Sequence, residues 1–104
     1  MTPVDAITVT QRTEQFDEGI RSITQRRGED YGHPLENFEL ISRMQDCVAW
    51  CDDPAMRHAL DMICVKMVRL VQTPDHIDSI LDIAGYARTM AMILDDRENQ
   101  DATR

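Results

Sequence analysis

The sequence predicts an all-α single domain of about four helices, closed by an antiparallel C-terminal hairpin of two buried helices. Three observations lead there. Residues Asp61 to Leu94, DMICVKMVRLVQTPDHIDSILDIAGYARTMAMIL, hold two apolar helical patterns on either side of Thr73-Pro74-Asp75. Proline disfavours helix in the residue before it, and an aspartate can cap the helix that follows. Upstream, apolar residues recur three and four apart, the helical spacing. Glycine and proline number only four each, too few for a chain of strands and turns.

Each element has a local reason. Residues 1–9 show no period and are expected to form a loose arm. Thr8 or Thr10 can cap a first helix running to about Arg27, with Phe16, Ile20 and Ile23 as a narrow apolar stripe. Gly28 is the expected stop, with Arg26 and Arg27 in the last turn, where cations suit the helix dipole. A tight turn follows through Gly32 and His33, and Pro34 suits the first position of a second helix. That helix should reach about Trp50, with Leu35, Phe38, Ile41, Met44 and Val48 on one face. Asp53-Pro54 repeats the cap-then-proline start for the third. Residues 95–104, DDRENQDATR, are expected to fray as a charged tail.

The hairpin is apolar nearly all round, which predicts burial all round. Its few polar groups should therefore find partners. If the helices fold back about residue 74, positions whose numbers sum to about 148 lie level. Lys66 then meets Asp82 and Arg69 meets Asp78. Asp78, Asp82 and Tyr86 are four apart and form one line on the last helix. Two readings follow: internal ion pairs that set the register, or a polar pocket for an anionic, nucleotide-like ligand. Two all-round apolar helices also exceed what the first two can cover, so a homodimer or higher oligomer is expected.

The 104 residues fit one domain, 1–104. A net charge of −8 argues against a broad surface for duplex nucleic acid. No stretch is apolar enough to span a membrane and no secretory leader is visible, so a cytoplasmic protein is expected. Cys47, Cys51 and Cys64 suit a reducing compartment as thiols. With His58 they do not make a convincing zinc set. No glycine-rich phosphate loop and no nucleophile motif is present.

DYGHPLENF, KMVRL and DSILDIAGYA, taken in that order, resemble a small domain of unknown function widespread in phages and prophages, over about residues 20–94. More remotely the chain is similar to the nucleotide-modification-associated domains of phages and to the MazG-type all-α nucleoside-triphosphate pyrophosphohydrolases. The resemblance implies a helical, oligomeric, MazG-like bundle with nucleotides as ligands. Tyr31, His33, Asn37, Lys66, Arg69, Asp82 and Tyr86 fill its pattern, and Asp78 joins them from the hairpin line. Lys and Arg suit phosphate, Asn and Asp suit base or ribose edges, and Tyr and His suit stacking. His33 can equally serve as a helix cap.

MazG-type enzymes hold magnesium on ExxE and ExxD motifs. Here Glu36 and Glu39 could supply one half, with Asp75 and Asp78, or Asp78 and Asp82, as the other, but no Glu-Glu doublet precedes either. The expectation is a binder that holds or sequesters a nucleotide or a nucleotide-derived defence signal. The alternatives are a magnesium-dependent nucleotide pyrophosphohydrolase and a structural interaction protein without ligand.

Overall fold

Helix starts and stops in this chain are set by prolines, caps and one glycine. In the computed structural model, which describes residues 3–102 and side chains from residue 11 onward, they delimit four helices. These are α1 (Pro3–Tyr31), α2 (Pro34–Val48), α3 (Pro54–Gln72) and α4 (Ile77–Ala102), with no strand among the described residues.

Pro34 and Pro54 open α2 and α3 as expected, each behind a side chain that accepts from free backbone N–H groups. His33 Nδ1 accepts from Leu35 N at 3.1 Å. Asp53 Oδ1 accepts from Ala55 N at 3.1 Å and Met56 N at 3.2 Å. These bonds satisfy donors that a helix start leaves orphaned.

Several boundaries differ from expectation. The first helix passes through Gly28 and ends at Tyr31. Gly32 stops it, with φ +79° and its N–H on Gly28 O at 3.1 Å. That single bond closes the last turn in the left-handed conformation that glycine adopts without strain. The last helix is capped by His76 and not by Asp75, since His76 Nδ1 accepts from Ser79 N at 3.3 Å. The second helix ends at Val48, and Trp50, placed on it by the sequence, is exposed beyond its end. α1 begins at Pro3, inside the segment expected as an arm, and α4 runs on to Ala102. The expected caps Thr8 and Thr10 lie outside the described side chains.

α3 is the central element, packed between α2 and α4. It carries the buried residues Ala59, Cys64 and Val68, and α4 adds Ser79 at 1% exposure. The α3–α4 hairpin forms in the expected register. Its burial does not hold in the single chain: Met67, Val71, Ile77, Ile80, Leu81, Met92 and Leu94 are exposed on its outer sides. Two neighbours cover one flank of each helix and leave the other open. Residues 11–30 of α1 are exposed throughout, including the stripe Phe16, Ile20 and Ile23.

Candidate functional site

One face from each of three helices converges on a cleft of about 570 Å³. α1 contributes Thr24, Arg27, Gly28 and Tyr31, α2 contributes Pro34, Asn37, Phe38 and Ile41, and α3 contributes Val65, Val68 and Arg69. Each set follows the i, i+3, i+4 spacing of one helical face. Gly32 and His33 complete the wall between α1 and α2. The far wall is apolar, and Phe38 lies 69% exposed along the opening. The charged side chains in the lining are Arg27 and Arg69, and no Asp or Glu takes part. In a chain with 19 acids against 11 bases, that absence concentrates positive potential in the cleft.

Tyr31 organises the polar end. The Arg69 guanidinium lies over its ring, 4.7 Å from the centroid, a cation–π contact that holds the charge without neutralising it. His76 meets the ring edge-on, with centroids 5.5 Å apart and planes at 79°. Its Nδ1 lies 2.9 Å from Ser79 Oγ and its Nε2 3.5 Å from Tyr31 Oη. With Nδ1 accepting from Ser79 N–H, the ring proton of neutral His76 resides on Nε2, facing the phenol. Thr73 Oγ1 donates to Asp30 O, tying the end of α1 to the end of α3. Asn37 Nδ2 donates to Tyr31 O at 2.6 Å. That bond fixes the amide and leaves Asn37 Oδ1 shielded from solvent without a hydrogen-bond partner. Such acceptors are rare and signal a place where a donor is due.

Of the residues singled out in the sequence, Tyr31, His33, Asn37 and Arg69 meet at this cleft. Lys66, Asp78, Asp82 and Tyr86 do not line it. Lys66 sits one residue past Val65, roughly 100° around the helix, and so faces α4. There it pairs with Asp82 at 2.9 Å, at the height the register requires. The expected Arg69–Asp78 pair is absent: Arg69 turns to Tyr31, and Asp78 is exposed in the first turn of α4, where the helix dipole favours a carboxylate. Tyr86 is half-buried on α4, which supplies no side chain to the lining. Glu36 and Glu39 are exposed and lie off the cleft-facing stripe of α2. Among the described residues, no three His, Cys, Asp or Glu side chains group closely enough to hold a metal.

His76 and Ser79 were not foreseen. Their signal, a histidine three residues before a serine at a helix start, is a capping pattern that only the fold connects to Tyr31. Burial pushes the Cys64 thiol up from its ordinary value, with Asp61 and Cys47 adding to the shift. Cys64 is a packed thiol, buried on α3.

The family model described as Domain of unknown function (DUF6378) matches residues 14–94. The chain is also similar to the Gene 55 protein of Mycobacterium phage D29, with 34% identity over 81 residues, which cover 78% of this chain and 54% of that protein. The chain thus spans about half the length of the curated relative it matches. No solved structure matches it.

Proposed function

The chain belongs to the DUF6378 family, and we propose that it binds a nucleotide or nucleotide-derived anion in the cleft between α1, α2 and α3. One observation carries this reading: in a chain of net charge −8, the charges lining the cleft are two arginines. Guanidinium groups suit phosphate oxygens. The apolar wall of Phe38, Ile41, Val65 and Val68 suits the face of a base. A few polar groups placed on an apolar cleft are the usual make-up of a small-molecule site. Lys66 and Asp82 then hold the hairpin and leave the ligand to Arg27 and Arg69. In a phage setting the protein would act in the host cytoplasm as a homo-oligomeric sink for such a ligand. A MazG-like hydrolase would call on Glu36 and Glu39, which lie outside the cleft, so binding without turnover is preferred.

The test is calorimetric titration with mononucleotides, cyclic dinucleotides and ADP-ribose, with and without magnesium. Saturable binding is expected, weakened about tenfold or more in Arg27→Gln, as the loss of a charge-assisted bond predicts. Arg27 is exposed, so the unliganded variant should melt as the parent does. No saturable binding by any of these compounds would sink the proposal.

A further inference from the structure

Beside the apolar cleft lies a second cavity of about 310 Å³, lined by Ile23, Arg26, Arg27, Asp30, Tyr31 and Arg69. The two cavities share Arg27, Tyr31 and Arg69, so they adjoin across the Tyr31–Arg69 stack. Three arginines from two helices line it. Among the described residues none of the three is in an ion pair, although Asp30 lines the same cavity. Arg26 makes only a long 3.4 Å bond to Ser22 Oγ. Three arginines on one cavity, none in an ion pair among the described residues, offer cationic donors to an anion. Their planar donors fit phosphate oxygens in pairs.

We infer that this second cavity is a polyphosphate subsite: the ligand carries two or more linked phosphates, seated among Arg26, Arg27 and Arg69, while its nucleoside occupies the apolar cleft. The nucleoside half of this statement rests on the function proposed above; the phosphate half stands on the arginine cluster alone. The opposing local charges are the Asp30 carboxylate and the carbonyl end of α1. Both weaken anion binding, and the three guanidiniums outnumber them.

The experiment titrates the full chain with inorganic tripolyphosphate, and with adenosine and guanosine and their mono- and triphosphates. Affinity is expected to rise with phosphate number and to fall with added salt, as exposed charge pairs are screened. Arg26→Ala should lower triphosphate and tripolyphosphate affinity about tenfold to a hundredfold and leave nucleoside binding unchanged. Asp30→Asn should raise the affinity of the same two ligands. Tripolyphosphate binding that depends on Arg26, without any nucleotide preference, would keep the subsite and refute the nucleoside cleft. Nucleoside binding with no gain from phosphates, or equal losses for all ligands in Arg26→Ala, would overturn the subsite and keep the cleft. Absence of binding by every compound would overturn both.

Discussion

Arg69 shows what a single side chain can and cannot announce from sequence. Its height along the hairpin is set by the turn at Pro74, and on height alone it belonged opposite Asp78. Its direction around the α3 axis is a separate coordinate, fixed by the packing of α2 and α1, and it turns the guanidinium onto Tyr31. Asp53 is a second residue with two roles. It caps α3 and also takes both Nη groups of Arg97 from the far end of α4, Nη2 at 3.0 Å. The Arg97 bond first, and the Met56 N–H next, hold its carboxyl at about 2 against an ordinary 3.8. A carboxylate with a folded value below its unfolded one stabilises the fold above the unfolded value, and that contribution is lost as pH falls through the folded value. The melting temperature of the parent should therefore drop more steeply than that of Asp53→Asn as pH falls from about 3.8 to about 2. The gap between the two should close over that window. Parallel curves would show that the Asp53–Arg97 pair makes no net contribution.

At the scale of elements, the hairpin was legible because proline and apolar period agreed, although its cap proved to be His76 and not Asp75. The level positions 66 and 82 did meet, since register needs only the turn and the helical rise. Which glycine ends α1 was not legible. Gly28 and Gly32 both suit a stop, and Gly32 wins because α2 must start at Pro34 and a chain reversal needs a left-handed residue just before it. The centre of the site was legible only in half. Tyr31 and Arg69 stood out by type and motif, whereas His76 looked like an ordinary helix-end residue until the fold set it against a ring 45 positions away. The Lys66–Asp82 pair is lopsided: the lysine side chain is 13% exposed and the aspartate 48%. Water can solvate Asp82 alone, so Lys66→Met should cost no more than about 1 kcal/mol. Asp82→Leu strands a largely desolvated ammonium and should cost about 1–3 kcal/mol. Urea unfolding of both single variants and the double checks the order, with the double close to Lys66→Met. A larger loss from the lysine substitution would contradict this account of the pin.

At the scale of the whole molecule the single chain is open, and the prediction drawn from that openness is a homo-oligomer. Its radius of gyration is 19.9 Å, against about 13 Å for a compact domain of this length. Its accessible surface is 8227 Å² for 12.0 kDa, where a folded monomer of that mass exposes about 6000 Å². The surplus, roughly 2000 Å² per chain, is of the size that obligate subunits bury against one another. The apolar residues available to do so are Phe16, Ile20 and Ile23 on α1, and Ile80, Leu81 and Met92 on α4. The expected outcome is a mass of at least twice 12.0 kDa at micromolar concentration by light scattering. Phe16→Asp and Leu81→Asp then separate the two faces, because each side chain is already exposed in the single chain and a charge there disturbs no internal packing. The variant that dissociates or unfolds the assembly marks the face that pairs. A parent that runs as a 12.0 kDa monomer and still melts cooperatively would refute the assembly.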